Sequence, residues 1–315
     1  MGKSRRIWLV VLLAVAVYLL MAIYADFGEL VSTVREFNLA LLPALLALVT
    51  VSYFIRFLKW DLLLKCVDVN LPFKDSILVF FSGLSMTITP GKLGEIWKGW
   101  LIKGLNGEQL SKTIPVVVME RITDVLGLTI LSLFGVLYYV QGIYFTIALL
   151  AILAAFFVAV RSKSISTRII SILDKRMGKY SDNVKIMHSS FEVMLEPKVM
   201  LGMAILGAFA WFPECLGMYL VILGFNESMS ILPVTSVYSF ASLAGAVSMI
   251  PGGLGVAEAS ISGLLQVLGL TAVKSIGVAI VVRLGTLWYG TITGLCVYVF
   301  FARKYFRNRE LRASE

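Results

Sequence analysis

The sequence predicts an all-α polytopic membrane protein, with six full spans plus two opposed re-entrant helical hairpins in an inverted repeat. Three observations carry that prediction. Hydrophobic residues make up 59% of the 315 and charged residues only 15%, at a mean hydropathy of +0.89, more apolar surface than a water-soluble core can hide. Apolar runs near the length a bilayer requires recur along the chain. Finally, Pro90-Gly91-Lys92-Leu93-Gly94 returns as Pro251-Gly252-Gly253-Leu254-Gly255, and each copy is followed closely by a glutamate, Glu95 or Glu258.

The first span covers 7–25 behind Lys3, Arg5 and Arg6. It is long enough to cross a bilayer and no small-residue cleavage site stands out, so it reads as a retained anchor rather than a signal peptide. The second span falls at 39–58. Residues 76–102 are apolar but interrupted at Pro90 and Gly91. Proline removes a donor and disfavours helix at the residue before it, while glycine permits a sharp turn, so a helix, a turn and a second half-helix are expected. Spans at 114–140 and 143–160 follow. The basic loop 161–198 is expected to lie along the anionic inner surface as one or two amphipathic helices. A span at 199–224, a second interrupted region at 231–270 and a last span at 272–302 complete the chain.

All of 1–315 reads as one integral membrane domain. Its parts are an N-terminal span and outer loop (1–38), a first repeat half (39–140), a connecting span and basic loop (141–198), a second repeat half (199–302) and a basic tail (303–315). Cations gather at the N-terminus, in the 161–198 loop and in the tail, whereas Asp26, Glu29, Arg35 and Glu36 leave the first outer segment net acidic. The positive-inside rule therefore puts both termini in the cytoplasm and the protein in the cytoplasmic membrane. Threading the spans makes 76–102 enter from the cytoplasm and 231–270 from outside, which inverts one half relative to the other. Unwound backbone at membrane depth survives only where protein or a wet cavity covers it, so the two turns are expected to meet internally.

A net charge of +9 raises nucleic acid as a partner. The cations follow the loops rather than an aromatic-interleaved face, which argues against it. Cys66, Cys215 and Cys296 are odd in number and sit in or near apolar segments, so they read as packed thiols. His188, the single histidine, has no Cys or His nearby, which disfavours zinc. No Gly-x-x-x-x-Gly-Lys-Ser/Thr run occurs. No cofactor is expected.

A charged side chain at mid-bilayer costs roughly 2.5–3.5 kcal/mol on insertion scales, so each one here demands an explanation. Arg56 and Lys59 close the second span and read equally as snorkelling to the inner headgroups or as buried. Glu120 and Asp124 share a helical face beside Arg121, as an ion-pair network or as part of a site. Arg121 lies 31 residues after Pro90 and Arg283 lies 32 after Pro251. Glu214 follows Pro213, whose kink would open a polar notch. The half-helix after each turn aims unpaired N–H groups and a positive dipole end at the membrane centre, an anion site. Lys92, Lys98, Arg121 and Arg283 would reinforce it. Glu95 and Glu258 are open to three readings: binding an ammonium headgroup, pairing with the arginines, or taking up a coupling proton.

Thr89-Pro90-Gly91-Lys92-Leu93-Gly94-Glu95, Glu120-Arg121-Ile122-Thr123-Asp124 and Pro251-Gly252-Gly253-Leu254-Gly255-Val256-Ala257-Glu258 resemble the lysylphosphatidylglycerol synthase transmembrane, or flippase-like, family over nearly the whole chain. That family includes the membrane half of the multiple peptide resistance factor, associated with moving aminoacylated phospholipid to the outer leaflet. The resemblance implies that the two turns, Glu95, Arg121, Asp124 and Glu258 are the characteristic polar positions. The chain ends at Glu315 after a short basic tail, so no soluble aminoacyl-transferase domain is expected and the chain reads as a transporter rather than an enzyme.

The function expected is movement of a phosphate-bearing lipid headgroup, aminoacylated or sugar-linked, across the membrane, downhill or coupled to an ion gradient. Substrate contacts are assigned to Pro90, Gly91, Lys92, Gly94, Glu95 and Lys98 with Arg121, and to Pro251, Gly252, Gly253, Gly255 and Glu258 with Arg283. Coupling or ion pairing falls to Arg56, Glu120, Asp124 and Glu214. Partners are a membrane lipid, a separately encoded lipid-modifying enzyme and a second copy in a homodimer. The rivals are an ion-coupled carrier of a small soluble solute, an integral membrane enzyme, and a non-catalytic partner of a lipid-modifying enzyme.

Overall fold

The computed structural model describes residues 3–89, 94–133 and 181–303, together with 147, 151 and 305. Most of the expected span at 143–160, the end of the one at 114–140, most of the basic loop before 181 and nearly all of the 303–315 tail lie outside these residues. Every regular element among the described residues is helical.

Helix α1 (Lys3–Tyr24) turns by 97° into α2 (Phe27–Arg35). Asp26 makes the corner at φ 62° and caps α2, accepting from the N–H of Gly28 at 3.0 Å and of Glu29 at 3.3 Å. The sequence alone predicts an outer loop over 26–38. Its helix forms because Leu30 packs with Ala22, Ala25, Val273 and Ile276.

Helix α3 (Leu42–Cys66) prolongs a short 3₁₀ turn at Leu39–Leu41. Helices α4 (Phe73–Leu84) and α5 (Trp97–Asn106) flank the first turn, and α6 (Leu110–Ser132) follows. Gly107 at φ 77° ends α5 in the left-handed conformation. After α7 (Ser181–Met194) come α8 (Pro197–Gly224), α9 (Ile231–Val247), the second turn, and α10 (Val256–Val267). The last helix begins as α11 (Ala272–Arg283), widens to π geometry over Leu284–Trp288, continues as α12 (Tyr289–Cys296) and widens again over Val297–Ala302.

Leu39–Cys66, Pro197–Gly224 and Ala272–Ala302 are long and apolar enough to cross a membrane, and the bent α1–α2 pair makes a fourth candidate. The second span ends later than expected. Its tail carries Arg56, Lys59, Asp61 and Lys65, which reads as an interface. The helix instead runs on to Cys66, because other helices supply partners for Arg56, Lys59 and Asp61, while Lys65 pairs with Asp61 one turn back. Arg56 is 4% exposed and Lys59 is 0% exposed, so neither snorkels.

Helix α8 packs along both α3 and α6. Small residues let the backbones close up, as membrane helices require where apolar burial alone gives little association. A Cβ on Gly127 of α6 would lie 2.5 Å from the Ala208 nitrogen of α8, and one on Gly207 would lie 2.6 Å from the Thr123 oxygen. Leu45 of α3 fills hollows at Gly217 and Gly285, where added Cβ atoms would come within 2.7 and 2.6 Å of it. These contacts fix where Arg56, Asp124 and Glu214 stand relative to one another.

Candidate functional site

The two turns touch. In the second, Gly252 and Gly253 adopt φ of 61° and 66°, and Gly253 comes so close to α9 that a Cβ there would lie 2.9 Å from Gly245 Cα. Only glycine combines that backbone with that approach. A Cβ on Gly252 would lie 3.8 Å from Ile88 Cα in the first turn. Ile88, Ile250 and Leu254 share one apolar cluster with Ala14, Tyr18, Leu287 and Trp288, and Trp288 donates to the Tyr18 hydroxyl at 2.9 Å. Helix α1 therefore covers the junction. In the first turn Gly94 donates its N–H to Thr89 Oγ1 at 2.8 Å. Pro90, Gly91 and Lys92 lie outside the described residues.

A cavity of about 280 Å³ opens beside the junction, lined by Thr87 and Thr89 of the first turn and Met249, Ile250, Gly252 and Gly253 of the second. Arg56, Arg121, Asp124, Glu214 and Arg283 also line it. Arginines from both halves thus face one space. The other expected contacts, Gly94, Glu95, Lys98, Pro251, Gly255 and Glu258, stand behind the wall, as does Glu120.

Three ionic groups build that wall. In the first half, Arg121 Nη2 lies 2.6 Å from Glu120, 3.2 Å from Asp124 and 3.4 Å from Glu95. Lys98 meets Glu120 at 2.5 Å and Glu95 at 3.1 Å, and Lys59 pairs with Asp124. Lys98 is 1% exposed and its ammonium lies 5.3 Å from the Phe80 ring centroid and 5.4 Å from that of Trp60. Expected to reinforce an anion site, it instead points into the core, where Gly83 makes room for its stem. The composition of the group is balanced: Lys59, Lys98 and Arg121 against Glu95, Glu120 and Asp124. A buried charge without a partner would cost several kcal/mol, about 3–5 when one member of a pair is removed, so this matching is what allows six charges to sit among apolar helices.

In the second half, Arg283 Nε donates to Glu258 Oε1 at 2.8 Å and Nη2 donates to the Gly252 carbonyl. Glu258 Oε2 accepts from the Gly255 N–H at 2.8 Å. One donor at the start of α10, the Gly255 N–H, is therefore taken up by the helix's own carboxylate. Of the three readings of the turn glutamates, pairing with the arginines is the arrangement adopted.

The third group joins the halves. Glu214 of α8 accepts from Ser52 Oγ of α3 at 2.7 Å and from the Tyr238 hydroxyl of α9. Arg56 Nη1 stands 3.8 Å from Glu214 Oε1, beyond hydrogen-bond range, and its guanidinium carbon lies 4.8 Å from the centroid of the Trp211 ring. Ser52 and Tyr238 escaped the sequence reading. Ser52 did carry a signal, since 52, 56 and 59 fall on one face of a helix, but a lone hydroxyl such as Tyr238 in an apolar run carries none.

The profile of the Lysylphosphatidylglycerol synthase TM region matches residues 8–294. A UPF0104 membrane protein of Pyrococcus horikoshii is similar at 21% identity over 317 residues, 91% of this chain and 95% of its own. One from Methanothermobacter thermautotrophicus is 21% identical over 334 residues, covering 96% and 95%. Another from that organism is 36% identical over only 90 residues, so this chain spans 27% of that relative's length.

Proposed function

This chain belongs to the lysylphosphatidylglycerol synthase transmembrane-region family, and from that membership we propose that it carries a phosphate-bearing lipid headgroup across the cytoplasmic membrane while the tails stay in the bilayer. The architecture proposed for this is six spans with two opposed re-entrant hairpins, α4–α5 and α9–α10, related as inverted repeats with both termini in the cytoplasm. No covalent step falls to this chain. An enzyme encoded separately would supply any modified headgroup.

The observation that carries the proposal is the single cavity taking Arg121 from one half and Arg283 from the other, beside both broken-helix turns. Sites formed by interrupted helices at a repeat interface suit alternating access, because one half can rock against the other around a fixed ligand. At about 280 Å³ the space is near the lower end of small-ligand sites, roughly 300–1,000 Å³, a size that suits a headgroup rather than a whole lipid.

The test is leaflet redistribution in proteoliposomes carrying a fluorescent phosphatidylglycerol, read by a membrane-impermeant quencher. Vesicles with the wild-type protein should expose the inner-leaflet pool to the quencher, whereas Arg121→Ala and Arg283→Ala proteins that insert and stay monodisperse should not. Wild-type vesicles indistinguishable from protein-free ones would remove the proposal.

A further inference from the structure

We propose that Arg56 is the group that receives the ligand's phosphate, and that the cavity takes a singly charged phosphodiester; this rests on the headgroup-carrier reading and specifies its ligand. Of the three arginines on the cavity wall, two already hold carboxylates within hydrogen-bond range, although the Nε of Arg121, like that of Arg56, is buried without a partner. Arg121 contacts three carboxylates through Nη2, and Arg283 holds Glu258 and the Gly252 carbonyl. Arg56 is 4% exposed, lines the cavity, and makes no hydrogen bond among the described residues, its Nε being buried without a partner. A buried guanidinium with five donors and no acceptor is costly unless something fills the gap.

The surroundings suit exchange. Trp211 at 4.8 Å and Tyr53 at 5.9 Å from the guanidinium carbon hold the side chain by their faces, leaving its in-plane donors for a bidentate oxyanion. Glu214, the nearest carboxylate at 3.8 Å, is already satisfied by Ser52 and Tyr238. When a phosphate draws Arg56 away, Glu214 keeps both of its hydrogen bonds. Charge sets the class of ligand. Counted with the ion-pair partners behind the wall, Arg56, Lys59, Lys98, Arg121 and Arg283 are matched by Glu95, Glu120, Asp124, Glu214 and Glu258, so any ligand charge is added to a balanced site. A phosphodiester then adds one negative charge, whereas a phosphomonoester would add a second to a buried site.

The test is native mass spectrometry of the purified full chain titrated with phosphatidylglycerol, phosphatidic acid, diacylglycerol and dimethyl phosphate. Wild-type protein should bind phosphatidylglycerol in preference to phosphatidic acid and diacylglycerol. Arg56→Gln should weaken that binding by about tenfold, the loss expected for one charge-assisted contact, with Arg56→Lys intermediate. Glu214→Gln removes the competing charge and should tighten binding, a change that misfolding cannot imitate. Unchanged affinity in Arg56→Gln, or unchanged or weaker affinity in Glu214→Gln, overturns the assignment, as does a preference for phosphatidic acid. Binding of dimethyl phosphate that depends on Arg56, without retention of phosphatidylglycerol, would sustain the anion site while removing the lipid-carrier reading.

Discussion

Arg283 and Glu258 form a 2.8 Å ion pair that ties the last helix to the start of α10, and Arg121 repeats the relationship with Glu95 at 3.4 Å in the first half. Each turn is thus linked to the arginine downstream of it through a glutamate. The glutamate neutralises the arginine, and in the second half it also caps the half-helix. Arginine position and turn geometry are consequently coupled, so a shift of the last helix relative to α10 would pull on the Gly252 carbonyl.

Removing Arg283 strands a carboxylate that is 0% exposed. Arg283→Met should destabilise the purified protein by about 3–5 kcal/mol, and adding Glu258→Gln should recover part of the loss. Thermal unfolding in detergent measures both, and equal stability of the single and double variants would contradict the pairing.

The tight second turn gives a signed pair of predictions. Gly253→Ala places a Cβ against the α9 backbone at a φ of 66° and should cost at least about 2 kcal/mol through strain and overpacking. Gly263→Ala lies within helix α10, where an added Cβ meets nothing within 4 Å, and should raise stability by about 0.5–1 kcal/mol. Melting temperatures moving in opposite directions are the expected result.

Contact between the turns is open to chemical trapping. In a chain lacking Cys66, Cys215 and Cys296, Ile88→Cys combined with Gly252→Cys should form a disulfide on mild oxidation, because the 3.8 Å separation of Ile88 Cα from the Gly252 Cβ position brings the two backbones within disulfide reach. The bond should appear as a mobility shift on non-reducing gels. Failure to form it under conditions that oxidise a surface control pair would place the turns apart.

Helix α6 meets α8 at Gly127 and Gly207. Gly127→Leu should wedge them apart, displacing Asp124 from Lys59 and lowering both thermal stability and lipid retention. Wild-type values for both would show that this crossing does not hold the site.

Much of this was legible in the chain. The second Pro-Gly-x-Leu-Gly element marks where α9 gives way to α10, the first falls between α4 and α5, and the matched spacing downstream picks out Arg121 and Arg283, which both face the cavity. The run from Pro197 to Gly224 is apolar apart from Lys198 and Glu214, so its length alone defines a span. Less legible was everything decided between helices. The far end of α3 looks like an interface until Asp124 and Glu120 are brought to Lys59 from another helix. Lys98 looks like an anion ligand until Gly83, fifteen positions earlier, opens a slot for it. Partner choice depends on side-chain direction across a packed interface, which one-dimensional spacing does not encode.

Arg56, Lys59, Lys98, Arg121 and Arg283 stand against Glu95, Glu120, Asp124, Glu214 and Glu258 in equal numbers around the turns. An interior balanced in this way gives the membrane potential no net gating charge to push on. A voltage of 100 mV is worth about 2.3 kcal/mol per elementary charge moved across the full bilayer, and in the proposed cycle only the headgroup would bring such a charge. An inside-negative cell would then drive an anionic headgroup outward, with the electric field setting the direction of travel.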